Sequence, residues 1–483
     1  MKKAVRSAVP AQKPVGAAEN PGGAGKMRLT AKPGSTRRIK RFVETDKSKR
    51  VMSPLEAEQR HLELYGISSG SSRRQNMRSK RLKARRTISL SPAPKPVTAG
   101  REGASGTFRE LRNFWVNYFR RIDFVFLALV LVIAVIGILA VHSGSMTEPS
   151  HRRIDLLQCT AFVLGIGAVV LLPLFDMSVA MKHWKWIYIA NVVLLLFTLV
   201  FGYSPTGEEN KSWIDLGFTS IQPAEFSKIM FIITLSAHLS KIRERLNSLL
   251  TLLGVFLHGG SIIGLVLLER DWGNGLVFIV IFVTLVFCAK IDWKYIALCI
   301  GAVVVAFPVI WENLGEFRKR RVLIGFNPEL DPLGYGHQVI RSRNAIASGG
   351  LLGQGYLKGE TIHKAGGLFA QHTDMVFAVI GQEFGFVGSA LFVVLYGLLI
   401  GRIIYIASKA GDYSGLYIGC GVAGMFIFQF IINLGMALGL TPVVGITLPL
   451  VSYGASSLVS MYAALALVMA VHSGSKGYSY RSV

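Results

Sequence analysis

DPLGYGHQVIRSRNAIASGGLLGQGYLKGETIHKAGGLFAQHTDMVFAVIGQEFGFVG, residues 331–388, is a basic, glycine-rich polar stretch that runs through His372-Thr373-Asp374 straight into a long apolar run. An apolar run of this kind reads as a helix able to cross a bilayer. Ionisable residues in such places are costly unless they have a role, so Asp374, at the mouth of the span, is the first candidate catalytic group. A carboxylate facing a basic loop at a membrane surface suits chemistry on an anionic lipid.

Outward from that stretch the chain is mostly membrane span. It is 51% hydrophobic and only 17% charged over 483 residues, with a mean hydropathy of +0.44. That profile excludes an ordinary soluble enzyme. Ten apolar stretches are long enough to cross: 123–142, 155–175, 184–203, 224–240, 247–268, 275–290, 292–311, 375–406, 414–439 and 446–471. The predicted fold is therefore all-α and polytopic, with about ten transmembrane helices and a long extracytoplasmic loop, 312–374, between spans seven and eight. Lys241, Arg243 and Arg245, Lys290 and Lys294, Arg402 and Lys409, and the C-terminal Lys476 and Arg481 all fall on one side under that count. The positive-inside rule makes this side cytoplasmic and puts both termini there.

The formal charge of +25 is concentrated in residues 1–112, which hold 27 Lys and Arg against 8 Asp and Glu. This segment is rich in Pro, Gly and Ser, lacks a sustained apolar period, and is expected to be a disordered cytoplasmic tail. Its basic runs, such as Arg37-Arg38-Ile39-Lys40-Arg41, suit an anionic leaflet better than nucleic acid. Trp115, Tyr118 and Phe119 before Arg120-Arg121 read as an interfacial anchor. The domain reading is 1–112 tail, 113–475 membrane domain and 476–483 short cytoplasmic tail. Cys159, Cys288, Cys299 and Cys420 lie in or beside apolar runs without metal-ligand spacing and read as small core residues.

The loop 312–374 breaks the charge rule. It is expected outside, yet it carries Arg318, Lys319, Arg320, Arg321, Arg341, Arg343, Lys358 and Lys364. Long loops translocate regardless of charge, so this is permitted. Guanidinium and ammonium groups gathered there suit a phosphate or pyrophosphate head group. Three further polar segments interrupt apolar sequence. Lys211-Ser212-Trp213-Ile214-Asp215-Leu216-Gly217 precedes Gln222-Pro223-Ala224-Glu225-Phe226-Ser227-Lys228, where Pro opens a helix and Glu225 and Lys228 share a face. Glu269-Arg270-Asp271-Trp272-Gly273-Asn274-Gly275 is a charged turn. Residues 441–457, TPVVGITLPLVSYGASS, break the last span with two prolines, a pattern tolerated where a cavity is lined.

Taken in order, these segments resemble the SEDS family of polytopic membrane proteins, typified by RodA, FtsW and SpoVE. The carrying residues are Trp213-Ile214 with Leu216-Gly217, Gln222-Pro223-Ala224-Glu225 with Lys228, and Asn327-Pro328 with Asp331-Pro332. Ser348-Gly349-Gly350 with Gly353 and Gly355, His372-Thr373-Asp374, Glu383 with Gly385, and Pro449-Leu450 with Ser452-Tyr453-Gly454 continue the register. The resemblance runs from about 123 to 472, and the segments around 327–332 and 345–359 are more similar to RodA than to FtsW. Ser212, Gln382, Ala455 and the lead 367–371 depart from the family pattern.

The resemblance implies a peptidoglycan glycosyltransferase of the bacterial cytoplasmic membrane that polymerises lipid II at its outer face, by inverting transfer. Asp374 matches the family's essential aspartate. A carboxylate base suits deprotonation of an attacking hydroxyl, and the pyrophosphate leaving group needs only its charge held. The substrate-binding residues expected on this basis are Lys211, Trp213, Glu225, Lys228, Arg318, Arg321, Arg341, Arg343, Lys358, His372, Thr373, Ser452 and Ser456. The resemblance fixes no cofactor; a divalent cation, Mg or Mn, is the one candidate. The expected partners are a class B penicillin-binding protein and other elongation or division machinery. Two other readings stay open, a lipid II flippase and a non-catalytic scaffold for a transpeptidase. A flippase predicts an inverted repeat and polar groups at midplane. The sequence has no repeat, and His258, Gln429 and Asn433 within spans read as interhelical hydrogen bonds.

Overall fold

The computed structural model describes residues 105–204, 211–217, 220–313, 315–363, 368 and 370–475. The expected basic tail, up to residue 104, and residues 476–483 lie outside the described residues. Residues 105–112, assigned to that tail by composition, are instead helical: α1 spans Ser105–Phe119. Its aromatic end packs on itself, with Trp115 and Phe119 exposed and Tyr118 buried, as an interfacial segment requires.

A helix stands at each expected span. They are α2 (Phe124–Ser145), α3 (His151–Leu171), α5 (Trp184–Phe201), α6 (Pro223–Ile242), α7 (Leu249–Leu268), α8 (Trp272–Cys288), α9 (Trp293–Asn313), α12 (Val376–Ser408), α13 (Tyr413–Leu438) and α14 (Ala455–Ser475). A short α4, Met177–Lys182, precedes α5. Among the described residues, seven of these helices are long and apolar enough to cross a membrane by themselves. α6 is not one of them because it carries Glu225, Lys228, His238 and Lys241. α8 is only 17 residues long. Glu225 and Lys228 of α6 and Asn274 of α8 are buried among other helices, so this polarity faces protein rather than lipid.

Burial separates the centre from the rim. The apolar window of α14 is 78% buried and that of α13 61%, against 22% for α3 and 17% for α5. Leu249, Leu250, Val305 and Phe201 are exposed, the pattern of a lipid-facing surface. At the other end of α2, Asp123 caps the helix by accepting from the Phe126 N–H. It also accepts from Arg402 of α12 at 2.7 Å, which locks the start of α2 to the end of α12.

Three expectations change. The segment 312–374 is not a plain loop: it folds into α10 (Glu316–Phe326) and α11 (Tyr335–Ser348). Val339, Ser342 and Ala345 recur every three residues on α11 and are buried. Ser342 Oγ donates to the Ala437 carbonyl at 2.7 Å, which docks α11 on the end of α13.

The last helix begins at Ala455 rather than 446, because residues 442–454 run as irregular backbone. Pro442 and Pro449 withhold N–H donors, and Gly445 and Leu450 take φ of 72° and 68°. This backbone survives in the bundle because side chains satisfy it. Gln158 donates to the Val451 carbonyl at 3.3 Å, Tyr396 to Pro449 at 3.3 Å and Asn433 to Ile446 at 2.8 Å. Gly137 of α2 permits the close approach: a Cβ there would lie 2.7 Å from Val451 Cα.

Span eight is also broken, at Gly385, whose φ of 64° and ψ of −164° are not helical. A broken helix leaves carbonyls and N–H groups without intrahelical partners. Residues 350–355 supply them. Gln354 and Gly355 N–H donate to the Gln382 and Glu383 carbonyls at 3.0 Å, and Phe386 and Val387 N–H donate to Gly350 and Leu351 at 2.9 and 3.0 Å. Gly353, at φ 82°, admits no side chain here: a Cβ would lie 2.1 Å from the Glu383 carbonyl oxygen. The glycine-rich motif is thus a backbone splint across the break in α12.

Candidate functional site

Asp374 sits in the turn just before α12, half-buried. Its peptide is held by backbone contacts to both neighbouring elements. Asn433 of α13 is fully buried; its amide donates to the Asp374 carbonyl at 2.9 Å and to the Ile446 carbonyl at 2.8 Å. Ser452 Oγ donates to the Thr373 carbonyl at 2.5 Å, and the Tyr453 N–H to the His372 carbonyl at 2.9 Å. The carboxylate faces Gly445, where a Cβ would stand 3.8 Å from Oδ2. The turn 372–374 and the irregular segment 442–454 therefore form one unit, and three residues named from sequence, His372, Thr373 and Ser452, belong to it with Asp374. The His372 ring lies 5.8 Å from that of Tyr453. Burial holds its pKa below the ordinary histidine value, with Glu148 opposing.

Asn433 is the residue whose role the sequence concealed. It reads as one more interhelical hydrogen bond; the structure makes it the tie between the candidate base and the irregular segment.

A second cluster lies under the same segment. Glu225 and Lys228 pair at 2.8 Å, with side chains 6% and 0% exposed. Ser460 Oγ donates to Glu225 at 3.0 Å and Lys228 Nζ to Asn274 Oδ1 at 3.1 Å. Asp271 accepts from Asn274 Nδ2 at 3.0 Å and from Gln222 Nε2 at 2.6 Å, and the Gln222 N–H donates to Ser456 Oγ at 3.2 Å. The chain of contacts thus joins α6, α8 and α14. Glu225, Lys228 and Ser456, expected from sequence to touch substrate, have polar atoms engaged by neighbouring groups, which ties together the helices beneath the irregular segment. Burial raises the Asp271 pKa against its hydrogen bonds from Asn274 and Gln222, with Glu225 adding to the rise. Beside it, burial and then Asp271 push Glu269 up to about 8, and neither Glu269 carboxyl oxygen meets a hydrogen-bond partner among the described residues.

The remaining candidates fall elsewhere on this end of the bundle. The exposed Lys211 donates its N–H to the Glu269 carbonyl at 3.2 Å, and Trp213 bridges to Tyr203 before the two-residue strands β1 (Ile214–Asp215) and β2 (Ser220–Ile221). Arg341 is half-buried and Arg343 exposed on α11, with Arg343 Cδ 3.1 Å from where a Gly439 Cβ would stand. The exposed Lys358 lies over Gly355 in the splint. The side chains of Arg318 and Arg321 and residue Lys364 lie outside the described residues.

For a hard cation such as Mg2+ or Mn2+, Asp374 supplies one carboxylate; such ions are commonly bound by one or two carboxylates with substrate phosphates completing the shell. Asp374 alone could hold such an ion only with substrate oxygens completing the shell. Among the described residues, the three-sided set of metal-ligating groups lies instead at His142, His151 and Asp155.

Comparison with known proteins accords with this arrangement. The family model FTSW_RODA_SPOVE, described as cell cycle protein, matches residues 122–477. A probable peptidoglycan glycosyltransferase FtsW from Thiomicrospira cyclica is 32% identical over 372 residues, covering 75% of this chain and 94% of that protein. The peptidoglycan glycosyltransferase MrdB of Escherichia coli is 29% identical over 371 residues, covering 76% and 96%. The two identities are close, so they do not separate subtypes. Among solved structures, one described as "Structural coordination of polymerization and crosslinking by a peptidoglycan synthase complex" aligns at a TM-score of 0.64. It is 30% identical and covers 75% of this chain and 99% of that one.

Proposed function

We propose, because the chain belongs to the FtsW/RodA/SpoVE family of integral membrane proteins, that it is a peptidoglycan glycosyltransferase polymerising lipid II at the outer face of the cytoplasmic membrane. The observation that carries the catalytic assignment is the fixing of Asp374. Three hydrogen bonds pin residues 372–374 to α13 and the irregular segment, while the carboxylate stays half-exposed beside Gly445.

In this reading Asp374 accepts the proton of the acceptor sugar hydroxyl as that oxygen attacks the anomeric carbon of the donor. Attack from the face opposite the leaving group inverts the anomeric centre. Undecaprenyl pyrophosphate departs without a protein acid, since cationic groups hold its charge. Arg341, Arg343 and Lys358, with Arg318 and Arg321, are the basic residues proposed for that task. Asp374 is the residue that would hold a Mg2+ or Mn2+ ion, and such an ion would supply further neutralisation of the leaving group's charge. A carboxylate carried on a pinned backbone turn needs less rearrangement to reach its reacting position.

The proposed placement has both termini cytoplasmic, following the positive-inside rule. The proposed partner is a class B penicillin-binding protein, supported by the similarity to a chain of a peptidoglycan synthase complex. The buried Glu225–Lys228 network sits under the same segment as Asp374 and links it to α6, α8 and α14, which favours a fixed catalytic platform over the moving halves of a flippase. The test is purified full-length protein with labelled lipid II in detergent. Glycan ladders that resist moenomycin support the reading. Transbilayer movement of lipid II in proteoliposomes without any ladder would replace it with the flippase reading.

A further inference from the structure

We propose that His142, His151 and Asp155 form a binding site for one transition-metal ion of the zinc class, separate from Asp374. His142 lies in the last turn of α2, and His151 and Asp155 lie one turn apart at the start of α3. Residues at i and i+4 share a helix face, so the short connection 146–150 folds all three together. His142 Nδ1 is 2.8 Å and His151 Nε2 3.3 Å from the same Asp155 oxygen, Oδ2. The ligand atoms all lie within 4.8 Å of one another, and the two rings are 4.9 Å apart.

A zinc ion takes nitrogen and oxygen ligands at about 2.0–2.2 Å. Ligand atoms around it then stand about 3.2–3.6 Å apart; the 3.3 Å pair already matches and the 2.8 Å pair needs only a small opening to admit the ion. Two imidazoles with one carboxylate favour zinc-like ions over Mg2+ or Ca2+, which prefer all-oxygen shells. The surroundings orient the ligands. Ser145 Oγ lies 2.8 Å from His151 Nδ1 and turns Nε2 toward Asp155. Such support on the far nitrogen is a recurrent property of metal-bound histidines. The three side chains are 39%, 23% and 28% exposed, which leaves a path for entry and room for water on the open side.

The site adjoins the platform of Asp374. Thr147 Oγ1 accepts from Gln371 Nε2 at 3.3 Å. Ser143 is bonded to Glu383 and lies 3.3 Å from His363. An ion at 142, 151 and 155 would therefore brace the α2–α3 turn against the chain that leads into Asp374.

The experiment uses full-length protein in detergent, with any affinity tag removed and metals stripped by EDTA. Zn2+ alone is titrated calorimetrically, and Co2+ is followed by its visible spectrum. The expected result is one tight equivalent and the bands of a low-coordinate cobalt site. His151→Asn and Asp155→Asn should each weaken binding by about tenfold or more, while Asp374→Asn leaves it unchanged. Added Zn2+ should raise the melting temperature of the unmodified protein and not that of His142→Asn/His151→Asn. If the variants melt as the unmodified protein does without metal, their loss of binding is a loss of ligands. No saturable binding, or binding equal in the double variant, overturns the proposal and leaves the cluster as a hydrogen-bonded carboxylate.

Discussion

Replacing Asn433 by leucine removes the amide and keeps most of the volume. Both lost hydrogen bonds end on backbone carbonyls, of Asp374 at 2.9 Å and Ile446 at 2.8 Å. A buried acceptor stripped of its donor costs about 1–3 kcal/mol. The Ile446 carbonyl bears the full penalty; that of Asp374, in a half-buried turn, bears less. The sum is roughly 2–4 kcal/mol. Ser452 and Tyr453 still hold residues 372 and 373, so the turn should stay in place with Asp374 less sharply aimed. Every 1.36 kcal/mol lost from the transition state is tenfold in rate, so a loss there of about 2–4 kcal/mol lowers kcat by roughly 30–900-fold. The apparent KM for lipid II should change little, because Asn433 is buried and touches no substrate. Initial rates of glycan synthesis over a range of lipid II, with thermal unfolding in the same detergent, measure both effects. A kcat within about twofold of the unmodified protein, measured where the variant is still folded, refutes the claim that Asn433 aims Asp374.

Lys228→Met should destabilise by about 3–5 kcal/mol, because it strands the buried Glu225 carboxylate. Glu225→Leu/Lys228→Met should recover most of that loss, and a double variant as unstable as the sum of the singles would contradict a coupled pair. Gly353→Ala should cost several kcal/mol, through positive φ and collision with the Glu383 carbonyl; a melting temperature equal to that of the unmodified protein would remove the splint from the account. For Glu269 the sign follows from a folded pKa of about 8, above the ordinary 4.5. The folded state holds the proton more tightly in that window, so stability falls as pH rises from about 4.5 to 8. Glu269→Gln should flatten this slope in melting temperature against pH, and an unchanged slope would show that Glu269 does not cause it.

The spans were legible because runs of apolar residues leave few alternatives in a chain this long, and their helices stand where hydropathy puts them. The break in the last span was half legible. Pro442 and Pro449 announced irregular backbone, but apolar residues such as Leu448, Leu450 and Val451 made 446–454 resemble helix. The helices α10 and α11 were hidden by composition, since Arg, Gly and Ser outweighed the three-residue spacing of Val339, Ser342 and Ala345. Asp374 stood out because a carboxylate at a span mouth is costly. Asn433 did not, because its partners are backbone carbonyls and carry no residue signature. His142, His151 and Asp155 left only the i, i+4 pair as a trace, the third ligand arriving across a turn. Glu225 and Lys228 read from their spacing as an ion pair and from the family resemblance as substrate contacts; the structure shows the pair buried.

The central claim is that the Asp374 carboxylate is the base in glycan extension. Asp374→Asn keeps the volume of the side chain and leaves the backbone bonds from Asn433, Ser452 and Tyr453 untouched. Purified Asp374→Asn protein, matched to the unmodified protein in membrane level and melting temperature, is given labelled lipid II, and its products are resolved by length. The account predicts no glycan ladder. A ladder formed at near the unmodified rate would contradict it.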